Sequence, residues 1–202
     1  MAYTKHSESG HYIFNETYIK KHYKYSTDLK TKSAEISTLA DEIWREHYTP
    51  IIGAEQVEYM LAKFQSPEQI CADIKENDYI YFTANCQKRQ KMTGYCAVQP
   101  REDHLFLSKI YVRRDERGKG IARSFLNEIY ALCRWEYGFD RIRLMVAKPN
   151  YDAIAMYKKV GFEIIDEVKV DIGGGFFMDD YLMEKRMVFP ENKSEEYEKR
   201  EE

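Results

Sequence analysis

The 202-residue chain is poor in the features that announce metal, disulfide or membrane chemistry. Its four cysteines, Cys71, Cys86, Cys96 and Cys133, are scattered and form no CxxC or other metal-ligand spacing. Its five histidines, His6, His11, His22, His47 and His104, contain no HExxH. No metal site is therefore expected. No apolar run approaches ~18 residues, so no membrane span is expected. The start of the chain lacks an apolar stretch of signal-peptide length. Together with the scattered thiols, this points to a reducing, cytoplasmic compartment. Lys+Arg is 31 against 34 Asp+Glu, and no basic excess marks a nucleic-acid partner. The chain shows no internal repeat and no Gly/Ser linker.

The formal charge of -3 resides in the last twelve residues, where six Glu face Lys193, Lys199 and Arg200. This acidic tail, residues 191–202, has nothing to bury and is expected to be solvated. Ahead of it, the composition of 44% hydrophobic and 32% charged residues suits one packed domain, placed at residues 28–190. Tyrosine is over-represented, at 17 against 10 Phe. Tyr12, Phe14, Tyr18, Tyr23 and Tyr25 crowd an N-terminal extension over residues 1–27. That is too many for a solvated arm, and part of it is expected to pack as a strand.

Ile36, Leu39, Ala40, Ile43 and Trp44 recur at helical spacing, as do Val57, Met60, Leu61 and Phe64. Ser66-Pro67-Glu68-Gln69 reads as a third helix start, with Ser66 capping, Pro67 in the first turn and Gln69 completing a capping box. Asp78–Asn85 and Met92–Gln99 read as hairpin strands, and His104–Val112 as a third. A helix follows from Gly120, with Ile121, Phe125, Ile129 and Leu132 on one stripe, and Gly138 stops it. Arg141–Ala147 is a strand and Asn150–Lys159 a short helix. Phe162–Val170 and Phe177–Val188 are strands around Gly173-Gly174-Gly175. The fold class is mixed α/β.

The segment from Ile110 to Ala122 carries the most specific signal. A strand ends, a polar turn follows, and glycines open a helix whose free N–H groups suit a pyrophosphate. The P-loop pattern fails because Lys119 is followed by Gly120. The dinucleotide pattern fails because Arg123 stands at its last glycine. A plain strand-to-helix turn with a charged surface is the alternative.

Arg117-Gly118-Lys119-Gly120-Ile121-Ala122 resembles the [Gln/Arg]-x-x-Gly-x-[Gly/Ala] loop of the GNAT superfamily of N-acetyltransferases. Asn150-Tyr151-Asp152-Ala153 and then Tyr157-Lys158-Lys159-Val160-Gly161-Phe162 resemble the family's Asn-x-x-Ala…Tyr-x-x-x-Gly-Phe segment, in the same order. Trp44 through Ser66 is similar to a subgroup with bacterial polyamine acetyltransferases. The resemblance covers about residues 33–188. It implies a twisted, mostly antiparallel sheet with a splayed parallel strand pair and flanking helices.

The resemblance implies acetyl-CoA as acyl donor. The main chain of Ile110, Tyr111 and Val112 would pair with the pantetheine arm. N–H groups of Gly118, Lys119, Gly120, Ile121 and Ala122, helped by Arg117, would hold the pyrophosphate. An N–H near Val112 would bind the oxyanion. Asn150 would touch the cofactor, although it also suits a helix N-cap. Tyr157 aligns with the general acid that protonates the CoA thiolate. The basic cluster Arg113, Arg114, Arg117, Lys119 and Arg123 would meet CoA's charge.

The acceptor is read as a primary amine, either a polyamine or another small cation. Trp44, Glu46, His47, Tyr48, Phe176, Phe177, Asp179 and Asp180 are candidates to receive it, with Arg45 offsetting some of the charge. Glu102, Asp103 and His104 precede the site-bearing strand, and none is assigned as base. The three glycines suit a turn, or a lid over the acceptor site. A protein N-terminus or lysine is the alternative acceptor, and a CoA-binding sensor the alternative of another class. A homodimer stays open.

Overall fold

A computed structural model describes residues 13–14, 17–22, 26 and 28–188. Tyr12, Tyr23 and Tyr25 of the aromatic extension, and the acidic tail, lie outside the described residues. The apolar spacing shapes three helices, α1 (Leu29–Ile52), α2 (Ala54–Phe64) and α3 (Pro67–Glu76). Ile36, Leu39, Ala40, Ile43 and Trp44 form the buried stripe of α1. The helix runs through Glu46, His47 and Tyr48 to Ile52, so the connection to α2 shrinks to Gly53 at φ +84°. Pro50 sits in the last turn, where its missing N–H costs only one helical bond.

Ser66 Oγ accepts from the Gln69 amide at 3.2 Å, as the cap requires. The expected capping box is only half made. The Gln69 side chain runs along the helix and donates to Asp73 Oδ1 at 2.8 Å, a charged acceptor one turn on.

The strands are β1 (Ile13–Phe14), β2 (Thr17–His22), β3 (Ile80–Cys86), β4 (Lys91–Pro100), β5 (Leu105–Val112), β6 (Arg141–Ala147), β7 (Glu163–Gly173) and β8 (Phe176–Arg186). Among the described residues they form one sheet in the order β1-β2-β3-β4-β5-β6-β8-β7. Every neighbouring pair is antiparallel except β5–β6. Within the aromatic extension, β2 pairs with β3 along its length, His22 opposite Tyr81. Helices α4 (Ile121–Trp135) and α5 (Tyr151–Lys159) cover one face, burying Phe82, Leu105, Leu107, Ile142, Leu144 and Met183. Helices α1 to α3 cover the other, over Tyr81, Tyr95 and Ala97.

One irregularity in β5 positions the site. Ala97 pairs with Lys109 and Val98 with Leu107, which leaves Ser108 as the extra residue of a bulge. The bulge reverses the alternation of faces. Leu105 and Leu107 point toward α4, and so do Ile110 and Val112, although an unbroken strand would put these on opposite sides. Lys109 turns toward α3, where its ammonium meets Asp73 at 2.9 Å and the Tyr81 hydroxyl at 2.6 Å. This buried pair fixes the bulge in place.

Candidate active site

The parallel pair holds for only three residues. Leu105, Phe106 and Leu107 face Ile142, Arg143 and Leu144. Past the bulge, β5 keeps β4 as a partner, with Ile110, Tyr111 and Val112 opposite Cys96, Tyr95 and Gly94. On the other side, β6 keeps β8 through Ala147, opposite Asp180. The facing edges of Ser108–Val112 and Met145–Ala147 therefore part, and backbone groups of β5 are left for another extended chain. The splayed pair expected at His104–Val112 and Arg141–Ala147 is met by this geometry.

The turn after β5 leads into α4. Gly118 and Gly120 both take left-handed conformations, at φ +77° and +87°. The first helical bond runs from the Ser124 amide to the Gly120 carbonyl at 3.0 Å. The N–H groups of Ile121, Ala122 and Arg123 thus precede the helical ladder and stay available to an anion. A cleft edge and a helix N-terminus on the same stretch fit the pantetheine and pyrophosphate of coenzyme A.

The basic cluster is less free than its sequence suggests. Arg117 donates to the Val112 carbonyl at 3.0 Å and to Glu46 at 2.9 Å. Arg113 meets Glu42 at 2.6 Å, and Arg114 lies 3.8 Å from Glu46. Lys119 pairs with the buried Glu116 at 2.8 Å, which also holds Arg89 at 3.0 Å. The pairings of Arg113, Arg114 and Arg117 with Glu42 and Glu46 cross from this turn to α1 and are invisible in the linear sequence. Arg45 turns away from Glu46 to Asp41 and Glu58.

Tyr157 lies on the α4–α5 side of the cleft, buried and edge-on to Phe162 at 5.6 Å between ring centres. Burial, and after it the neighbouring Tyr48 and Cys96, push its phenol well above the ordinary value, so it keeps its proton. Asn150 occupies the N-cap position of α5, but its side chain makes no cap bond. It is buried, near the Tyr48 hydroxyl.

On the opposite face, Tyr48 packs against Trp44 at 4.8 Å and Tyr111 at 6.2 Å between ring centres. Burial raises the Tyr48 phenol, opposed by the Tyr111 hydroxyl and raised further by Asp180. The last hairpin closes this side. Tyr59 Oη and Lys63 Nζ both donate to the Ile172 carbonyl at 2.6 Å, and Gln56 donates to the Phe177 carbonyl at 2.8 Å. A Cβ on Gly173 would stand 2.7 Å from the Tyr59 hydroxyl. The triple-glycine turn is thus docked on α2. Phe176 packs at a tilt against Tyr59, while Phe177 faces outward. His47 lies edge-on to Tyr48.

Of the carboxylates around the acceptor side, Glu46 is held by Arg117, and Asp179 by Lys148 at 2.6 Å. Glu102, Asp103 and His104 lie at the closed end of the parallel pair, where Asp103 binds His104 and Arg141. Among the described residues no group of three His, Cys, Asp or Glu side chains is arranged to hold a metal, and no helix is long and apolar enough to cross a membrane.

Residues 36–162 match the acetyltransferase (GNAT) family. An L-amino acid N-acetyltransferase of Escherichia coli (strain K12) is 34% identical over 86 residues, 42% of this chain and 53% of that protein. The chain thus spans about half the length of this curated relative. The crystal structure of a PaiA N-acetyltransferase from Thermoplasma acidophilum in complex with coenzyme A superposes with a TM-score of 0.65 at 22% identity. That match covers 83% of this chain and 98% of the other. A ribosomal-protein-S5-alanine acetyltransferase from Vibrio fischeri gives 0.62 at 15% identity, over 87% and 96% of the two chains. Both superpositions show a shared fold.

Proposed function

The chain belongs to the GNAT acetyltransferase family, and from that membership we propose that it transfers an acetyl group from acetyl-CoA to a small primary amine. The observation that carries this reading is the parting of β5 from β6 after Leu107, directly ahead of the glycine-opened N-terminus of α4. When bound, acetyl-CoA supplies the activated acetyl thioester. The main chain of Ile110, Tyr111 and Val112 holds its arm. The N–H groups from Gly118 to Ala122, with Arg117 and Lys119 beside them, hold its pyrophosphate.

Tyr157 keeps a proton on the α5 side for the departing sulfur. Asn150 orients groups at the same end. A backbone N–H near Val112 supports the carbonyl oxygen as charge develops there. The tyrosine-lined opposite face, between Tyr48 and the last hairpin, receives the amine. A single ammonium suits this face better than a polyamine's several, because Asp180 is its one carboxylate without an ion partner among the described residues. The E. coli relative is named for L-amino acids, which are likewise small amines.

The test is thiol release from acetyl-CoA with a panel of monoamines, amino acids, polyamines and peptides, and the acetylated product identified by mass. Turnover is expected with small monoamines. Turnover confined to peptides would move the acceptor to a protein N-terminus or lysine. Tight CoA binding with no turnover would make the chain a sensor.

A further inference from the structure

Asp180 is set apart from the other acids by where its strand places it. On β8, Tyr181 and Met183 point into the α4–α5 core, so Asp180, out of phase with them, faces the α1–α3 side with Ala147 opposite. Phe176 and Met178 share that face and pack with α1 and α2. Asp180 is only 7% exposed, yet its carboxylate has no hydrogen bond or ion pair among the described residues. Tyr157 stands on the other face of the same cleft. The two groups thus lie on opposite faces of the sheet, Asp180 one strand beyond the parted end of β6, and Tyr48 lies within electrostatic reach of both.

We propose that Asp180 accepts the proton of the attacking amine, an inference that rests on the acetyltransfer reading above and deepens it. The amine nitrogen forms a bond to the acetyl carbon as the carbon–sulfur bond breaks. The proton shed by nitrogen goes to the Asp180 carboxylate. The electron pair leaving on sulfur takes the Tyr157 proton. The products are the N-acetylamine and the CoA thiol, and solvent returns one proton from Asp180 to Tyr157.

The surrounding charges suit the role. Burial, and after it the adjacent Asp179, raise the Asp180 carboxyl to about 6, while Lys148 lowers it. Tyr48 faces it from α1. On β7 its partner is Val168, whose charged neighbours Glu167 and Lys169 engage Lys148 and the Phe177 ring. Asp180 is therefore ionised at neutral pH yet is a stronger base than an exposed carboxylate.

The experiment compares the full-length wild type with Asp180→Asn and Asp180→Glu, using the amine turned over best at saturating acetyl-CoA, from pH 5 to 9. The wild-type kcat should rise along one limb near pH 6 and then level. Asp180→Asn should lower kcat about 10²-fold, abolish that limb and leave the KM for acetyl-CoA unchanged. Asp180→Glu should restore part of the rate. Independently of activity, Asp180→Asn should melt higher than the wild type above pH 6, because a buried charge is gone, and the gap should close toward pH 4. A higher amine KM with kcat and its pH limb intact would reduce Asp180 to a cation anchor and overturn the proposal. A wild type without turnover on any amine would instead overturn the acetyltransfer reading, and the base role with it.

Discussion

The hydroxyls of Tyr48 and Tyr111 lie 3.5 Å apart, joining the last turns of α1 to the free end of β5. This contact bridges the acceptor face to the strand that parts from β6. It explains why α1 must continue to Ile52. A helix ending soon after Trp44 would leave Tyr111 without its partner and the cleft without a wall.

Across that cleft, Tyr157→Phe removes one hydroxyl from a ring already packed on Phe162. The fold and CoA affinity should hold, and kcat should fall by about 10²-fold where chemistry limits the rate. Pre-steady-state thiol release alongside calorimetric CoA titration checks both parts. An unchanged chemical step removes Tyr157 from the reaction.

Gly94 opposes Val112 at the free end of β5. A Cβ there would stand 2.8 Å from the Tyr111 carbonyl oxygen and 3.3 Å from Phe125 and Val112. The carbonyl cannot swing aside as a side chain can, so Gly94→Ala must push the CoA-binding edge of β5. Stability should fall by roughly 1–3 kcal/mol, and CoA affinity should fall with it. Chemical denaturation and CoA titration give the two readings. Full affinity at reduced stability would show that β5 yields elsewhere.

Glu46 competes for a cation that CoA needs. Its bond to Arg117 is partly exposed, and such pairs contribute about 0.2–1 kcal/mol. Glu46→Gln should free Arg117 and tighten CoA by up to about five-fold. Isothermal titration at low salt reads this directly. Weaker binding would show that Glu46 instead holds Arg117 in its binding pose.

His22 ties β2 to the sheet through Thr83 Oγ1 at 3.0 Å and is fully buried. Burial pushes its pKa down to about 4, with Asp28 partly opposing. The folded value lies below the unfolded one, so the folded state binds fewer protons between pH 6.5 and 4. The stability it contributes is complete above pH 6.5 and is lost as pH falls through that window, by up to about 3 kcal/mol. Melting of His22→Gln should show a shallower acid decline than the wild type. Parallel declines would place the acid sensitivity elsewhere.

Much of this architecture could be read locally. Ser66 and Pro67 start α3 as their chemistry demands, and Gly118 and Gly120 mark the turn into α4. The family motifs then gave Tyr157 and Asn150 their proposed roles. A signal for the bulge was also present, because Leu105, Leu107, Ile110 and Val112 break the period of two once, at Ser108. The neighbours Asp179 and Asp180 had to face opposite sides once β8 was a strand. What stayed hidden depends on residues far apart in sequence. Arg117 meets Glu46 across 71 positions, and Lys109 meets Asp73 across 36. Such pairings follow from the packing of α1 and α3 on the sheet, which no local pattern encodes.

The most direct measurement of the central claim is amide hydrogen exchange with and without coenzyme A. New protection is expected, confined to the main chain of Lys109–Val112 and to the amides of Gly118–Arg123. Protection absent from both segments while CoA is bound elsewhere would contradict it.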